Sequence, residues 1–411
     1  MPASPDTEKN DLGILTDHTC PNCELGKMVV FYEKDKAPVH SVVLLSSREQ
    51  AINFTTGDIQ LGYCDTCGFI SNILFDASLH DYATDYEATQ SYSPTFNAFA
   101  KRLAHRLIDD YDLHDKDIIE IGCGQGEFLT MLAEEGPSRG TGFDPAYRDE
   151  PIESEARDRL KFIADYYSEK YTDYQADFIV CKMTLEHIDK TAEFISTVRR
   201  AIGDREDTIV FFQIPNAEYV MRDLAFWDVY YEHCSYFSAA SLKYLFRRSG
   251  FKVLAVGTEY DDQYLMIEAS PTQIPDGPVA IDPKDLAEIH NLTVEFARKV
   301  KPFIQEWRDR INQLKSDGKR IVIWGSGSKG VSFLTTLGIT NEIEYCVDIN
   351  PLKYNKYMAG TGQRIVSPEF LKSYQPDVVI VMNPVYCGEI QADLDKMGVS
   401  AIMLTVEGDN E

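Results

Sequence analysis

Four short runs hold the side chains best suited to chemistry. Cys20-Pro-Asn-Cys23 and Cys64-Asp-Thr-Cys67-Gly68 form two Cys-x2-Cys pairs separated by 40 residues. Each pair sets two thiolates on one turn, and two turns complete the tetrahedral shell of a Zn²⁺ ion. Four thiolates leave no open position, so the predicted metal is structural and stabilises a small segment, with a β-rich excursion between the knuckles. In the second run, Asp117-Ile-Ile-Glu120-Ile-Gly122-Cys-Gly124-Gln-Gly126, a β-branched strand enters a glycine loop and then a helix. Glycines let backbone approach a ligand, and a helix N-terminus offers free N–H groups. Glu120 suits an ammonium or hydroxyl group better than a pyrophosphate. Asp144 ends the next strand, where an acid can take both hydroxyls of a ribose. Asp165-Tyr166 follows the third strand, with a carboxylate for an adenine amine and a ring to cover its face. The glycine spacing alone also fits a dinucleotide loop.

The third run is Tyr230-Tyr231-Glu232-His233-Cys234-Ser235-Tyr236-Phe237-Ser238, beyond a strand that ends near Gln213. A titratable imidazole next to a carboxylate that can orient it reads as general acid–base machinery. His187, in Leu185-Glu186-His187, follows another strand at the same sheet edge. The fourth run, Trp324-Gly325-Ser-Gly327-Ser-Lys329-Gly330, is G-x-G-x-x-G after an apolar strand, with Asp348 eighteen residues beyond Gly330. Read alone, it suggests a dinucleotide fingerprint. A cradle for a different phosphate ligand is the economical alternative, with Lys329 a point charge for a diphosphate. Asn383 follows the strand at 377–382 and borders the same crevice.

The elements that must position these runs alternate. Strands are predicted at 117–121, 139–143, 177–181, 208–213 and 251–257, with helices at 126–135, 190–202 and 239–249. An earlier helix places Phe96, Phe99, Leu103 and Leu107 on one face. This order predicts an α/β, doubly wound, mostly parallel sheet. Residues 19–72 read as short strands and turns around the cysteines. The proline-rich stretch 271–283 reads as a linker, 284–315 as a long amphipathic helix with a bland alternative as a packing spacer, and a second α/β unit opens at Lys319. The expected organisation is a zinc-binding module at 12–80, a core at 81–270, linker and helix at 271–316, and a C-terminal Rossmann-like domain at 317–411.

Composition narrows the function. The 411 residues are 44% hydrophobic and 11% aromatic, enough for two or three cores. A net charge of −26 repels phosphate backbones, which argues against nucleic-acid binding. No apolar run reaches the length of a membrane span, residues 1–11 are polar and expected to fray, and no signal peptide is expected there. Nine cysteines, five of them isolated, fit a reducing, cytoplasmic setting.

The first glycine loop resembles that of class I S-adenosylmethionine-dependent methyltransferases, whose pattern is (D/E)-x-G-x-G-x-G. The resemblance implies that Gly122, Gly124 and Gly126 line the methionine moiety, Asp144 the ribose, and Asp165 and Tyr166 the adenine. Over nearly its whole length the chain is similar to the nucleotide-sugar C-methyltransferases, which act on 3-amino-deoxy- or 4-keto-deoxysugars joined to a nucleotide diphosphate. Tyr230-Tyr231-Glu232-His233-x-x-x-Phe237-Ser238 carries the most specific match. By that resemblance His233 is the base, with Tyr230 and Glu232 beside it and His187 a second histidine, while the family's tyrosines before the core fall on Tyr82 or Tyr86. Lys329 and Asn383 fall in a C-terminal domain that helps hold the substrate. One departure is Gln213-Ile214-Pro215, where many members carry an acid before the proline. Methylation at oxygen or nitrogen, and a non-enzymatic NAD-binding protein, are the competing expectations.

Overall fold

Strands buried on both faces build the central sheet. Asp117–Ile121 hides Ile118, Ile119 and Ile121, and Phe178–Lys182 hides Phe178 to Cys181. Such near-continuous apolar runs belong to strands covered by helices on both sides. The structure, a computed structural model, describes residues 9–10, 12–79, 86–148, 153–273 and 279–407. Tyr82, residues 1–8 and 11 of the polar terminus, and 274–278 of the linker lie outside them.

The central sheet has seven strands, in the order Phe251–Glu259, Tyr264–Pro271, Ile209–Pro215, Phe178–Lys182, Asp117–Ile121, Arg139–Phe143, Leu160–Ile163. Tyr264–Pro271 runs antiparallel to both neighbours and the other pairings are parallel. The doubly wound, mostly parallel expectation holds, with two strands beyond the five predicted. Leu160–Ile163 is a short, half-buried edge strand with weak patterning. Tyr264–Pro271 closes a hairpin whose turn sets Tyr260, Asp261 and Asp262 at φ of 58°, 55° and 58° without a glycine to signal it.

An antiparallel sheet forms around the cysteines from Gly13–Thr19, Lys27–Pro38, Thr56–Cys64 and Ile70–Asn72, with Lys9–Asn10 at its edge. Its longest strand has 12 residues, longer than the short strands expected. The sheet's other edge comes from the third chemical run: Ser235 pairs with Ser71 and Tyr236 with Ile70. The Tyr-x-Glu-His run is therefore fastened to the cysteine-bearing sheet.

The third sheet has five parallel strands, in the order Arg364–Val366, Tyr345–Val347, Ile321–Trp324, Val378–Val381, Ile402–Thr405. The helix Pro283–Ser316 buries Ile289, Phe296, Val300, Trp307 and Ile311 along one stripe. Phe296 meets Tyr32 at a ring separation of 5.5 Å, and Trp307 meets Phe333 at 5.3 Å. The helix thus braces the first sheet against the third.

Candidate active site

The central and C-terminal sheets face each other with the carboxyl ends of their strands, where doubly wound sheets bind ligands. Between them lies a cavity of about 1000 Å³, bordered by Gly122, Gly124 and Asp144 on one side and by Gly325, Lys329 and Asn383 on the other. Both glycine loops open into this one space.

In the first loop Gly124 has φ +55°, and nothing lies within 4 Å of the place its Cβ would occupy. Gly126 does not border the cavity: at φ +84° a Cβ would meet the Phe162 ring at 2.3 Å, so this glycine serves packing. Asp144 accepts from Gly124 N at 2.9 Å and Ala146 N at 2.8 Å, and burial raises its carboxyl against those bonds. Glu120 is buried and accepts from Leu129 N at 3.0 Å; burial raises its carboxyl and the nearby Lys182 ammonium opposes the rise. The Lys182 ammonium sits 3.7 Å from the centre of the Phe128 ring. Tyr166 borders the cavity, but Asp165 turns away from it and binds Lys170 and, at 2.6 Å, the Tyr171 hydroxyl.

His233 is buried at the cavity wall, its ring 4.1 Å from Tyr230 and 4.8 Å from His187, the latter at 89°. The expectation that Glu232 orients it is not met. Glu232 points to the first sheet, 3.3 Å from His40 Nδ1, and accepts from Ser41 N at 3.2 Å and from the Ser41 hydroxyl. Ser328 Oγ, in the second glycine loop, lies 3.5 Å from it. Burial alone would raise the Glu232 carboxyl; His40, His187 and Ser41 outweigh it and hold the group below the usual carboxylate range. The carboxyl nearest His233 is Glu186, with Oε1 4.0 Å from Nε2. Burial pushes Glu186 up to about 8 and lowers His187.

In the second loop, Lys329 is already engaged by the core: Nζ donates to Asp228 at 2.7 Å and to Gln263 at 3.0 Å. Asn383 and Gln263 exchange amide bonds of 3.0 and 3.1 Å. Asp348 accepts from Ser326 N at 3.1 Å and lies 3.4 Å from Lys353 Nζ. Tyr86 borders the cavity, and Tyr82 is outside the described residues. Gln213 is buried against Met266 and does not border the cavity, so the departure from the family's acid falls on packing.

A family model described as a methyltransferase domain matches residues 92–256, and one described as a C-methyltransferase C-terminal domain matches 284–403. The protein is an S-adenosylmethionine-dependent methyltransferase. Its chain is 26% identical over 307 residues to C-methyltransferase NovU of Streptomyces niveus, covering 71% of this chain and 72% of that one. Among solved structures it is similar to a putative S-adenosylmethionine-dependent methyltransferase from Listeria monocytogenes (13% identity, 43% of this chain and 100% of that chain, TM-score 0.32). It is also similar to the magnesium protoporphyrin IX methyltransferase of Synechocystis PCC 6803 (14%, 46% and 90%, 0.35). The two family models and the NovU relative set the non-enzymatic NAD-binding reading aside.

The methyltransferase brings its four paired cysteines together. All are fully buried, with Cys20 and Cys67 sulfurs 3.6 Å apart and those of Cys23 and Cys64 3.7 Å apart. Tetrahedral Zn–S arms of ~2.3 Å give edges of about 3.8 Å. Gly26 N points at Cys23 Sγ at 3.2 Å, and Gly68 N bonds Cys64 O, as in tight metal-binding turns. Among the described residues no helix is long and apolar enough to cross a membrane.

Sequence reading missed Glu186, Lys182, Asp228, Gln263, His40 and Ser41. Glu186 adjoins His187 in the turn Leu185–His187, and that adjacency is the available signal. His40 and Ser41 reach Glu232 from some 190 positions away, and no local pattern carries that.

Proposed function

We propose that this methyltransferase places a methyl group on a ring carbon next to a ketone in a nucleotide-linked deoxysugar, with His233 as the base. S-adenosylmethionine, when bound, supplies an electrophilic methyl on a sulfonium. Gly124, beside Gly122, would present open backbone to its methionine portion, with Glu120 and Lys182 beneath, Asp144 would take the ribose, and Tyr166 would cover the adenine. His233 removes the proton: a C–H bond breaks, an N–H bond forms, and the electron pair is delocalised as an enolate. That pair would form the new C–C bond to the methyl group, and the C–S bond would break with its electrons left on sulfur. Holding both partners in one cavity supplies much of the rate.

The observation that carries this reading is the position of His233, at the wall of a cavity shared by the two glycine loops. The C-methyltransferase description of the C-terminal match supports carbon as the acceptor. Lys329, Asn383 and Tyr86 border the side left for the sugar nucleotide. Cys20, Cys23, Cys64 and Cys67 hold a structural Zn²⁺ within the 12–80 module, the core spans 81–270, and the C-terminal domain from 317 holds the substrate. The five isolated cysteines, Cys123, Cys181, Cys234, Cys346 and Cys387, support a reducing compartment, the cytoplasm.

The test uses methyl-labelled S-adenosylmethionine with a panel of nucleotide-linked ketosugars, the label being located by NMR. The expected label is on carbon, with exchange of the adjacent proton that depends on His233. Label on oxygen or nitrogen, or on none of the sugars, overturns the reading.

A further inference from the structure

Glu186 is only 1% exposed, and neither of its carboxyl oxygens has a hydrogen-bond partner among the described residues. Leaving a buried carboxyl without a donor is costly, and the cost falls when a cation forms beside it. Its nearest ring nitrogen is His233 Nε2, at 4.0 Å. The turn Leu185–His187 that carries it is fixed to the catalytic run: Cys234 Sγ reaches Glu186 O at 3.6 Å, and Ser235 Oγ donates to Ile188 O at 2.6 Å. Glu232, the acid adjacent to His233 in sequence, is occupied on the far side by His40, Ser41 and Ser328.

Resting on the reading of His233 as the base, we infer that Glu186 is the positioning carboxylate of His233, and that Glu232 instead ties the catalytic run to the first sheet and the second glycine loop. When His233 takes the substrate proton, its new N–H bond leaves an imidazolium facing Glu186, and the buried carboxyl ionises beside it. The Glu186 O–H bond breaks, its electron pair stays on oxygen, and the two groups stand as an ion pair that holds the ring in place. The reaction as a whole releases one proton because the sulfonium charge disappears, and this is the proton that leaves Glu186.

The other titratable groups around the pair are His187, Tyr230, Tyr86, Tyr264, Cys181 and Cys234, with His40 and Glu232 behind His187. Burial raises the tyrosines and the two thiols, so they stay neutral while His233 and Glu186 change charge. Lys182 stands with Glu120, and Asp228 with Lys329.

The experiment needs no sugar, so its failure differs from a failure of the sugar reading. The eight histidines are labelled with ¹³C at Cε1 in the S-adenosylhomocysteine-saturated protein, and His233 is assigned by its loss in His233→Asn. Glu186→Gln is expected to lower the midpoint of the His233 titration by about one pH unit, the effect of removing a carboxylate at this distance. Glu232→Gln is expected to move it by less than a third as much. Retained affinity for S-adenosylhomocysteine certifies the fold of each variant, and Glu186→Asp, with a longer gap to the ring, should give a smaller shift in the same direction. An unmoved midpoint in the Glu186 variants, or a larger shift in Glu232→Gln, overturns the inference.

Discussion

The two glycine loops share a plan and differ in what their side chains hold. Each leaves a parallel strand, each starts a helix, and each receives an aspartate from the next strand: Asp144 at Gly124 N and Asp348 at Ser326 N. The first loop keeps its bonds within the central sheet's own elements, with Gly124 facing open space. The second likewise has one open glycine, Gly327, and one packed one, Gly330, where a Cβ would meet Gly325 O at 2.4 Å, but its polar side chains reach outward. Ser328 meets Ser41 at 2.7 Å, and Lys329 meets Asp228 and Gln263. Glycine spacing thus sets the form of a loop, whereas the commitments of its serines and lysines set its task. The first loop is bonded within the core; the second is bonded across to Ser41 of the first sheet and to Asp228 and Gln263 of the core.

That contrast can be broken most forcefully at the cavity wall. His233→Ala should lower kcat by ~10²–10⁴-fold, the span of general-base effects, with S-adenosylhomocysteine affinity changed less than about twofold. A parallel loss of affinity in calorimetry would mean that the first loop is not independent of the catalytic run.

Chelation gives the next largest effect. Removing zinc should melt the first sheet and, through the Ser235–Tyr236 pairing with Ile70–Asn72, abolish methyl transfer. Circular dichroism should show loss of strand signal while calorimetry still detects S-adenosylhomocysteine at the first loop. Unchanged folding after metal is removed and shown absent would refute a structural site.

A smaller effect concerns the helix Ser328–Leu337 behind the second loop. Buried Lys34, from the first sheet, donates to Ser332 O, Ser332 Oγ and Thr335 Oγ1 at 3.3, 3.2 and 3.0 Å, and burial lowers its ammonium to about 7. Between about pH 7 and 10.5 the unfolded chain therefore binds more protons than the folded one, so this group's contribution to stability improves as pH rises through that window. Against Lys34→Met, the wild-type Tm should gain between pH 7 and 9.5. A constant difference would show that Lys34 keeps an ordinary affinity for its proton.

Local patterns made much of this molecule legible. β-Branched runs marked the parallel strands, Cys-x2-Cys marked the knuckles, and glycine after a strand marked both loops, because each feature is decided within a few residues. The site was legible in its residue types and less so in its partners. Glu232 adjoins His233 in the chain, yet the two side chains leave the turn closed by His233 N on Tyr230 O for opposite neighbours, His40 and Glu186. Gly126 matched the cofactor pattern but answers to Phe162, a ring on the short edge strand Leu160–Ile163. Asp165 fell in the expected place and was captured by Lys170 and Tyr171. In each case the deciding contact comes from outside the motif.

The division of labour between the loops is tested most directly by calorimetry of two ligands on two variants. S-adenosylhomocysteine and a panel of nucleoside diphosphates, including uridine and thymidine diphosphate, are titrated into wild type, Asp144→Asn and Lys329→Ala. Loss of charge-assisted bonds worth ~1.5–3 kcal/mol should lower S-adenosylhomocysteine affinity about 10- to 100-fold in Asp144→Asn and leave nucleotide affinity intact. Lys329→Ala should show the converse. Both ligands weakened alike by either change, or nucleoside diphosphates lost only in Asp144→Asn, would contradict two loops with separate tasks.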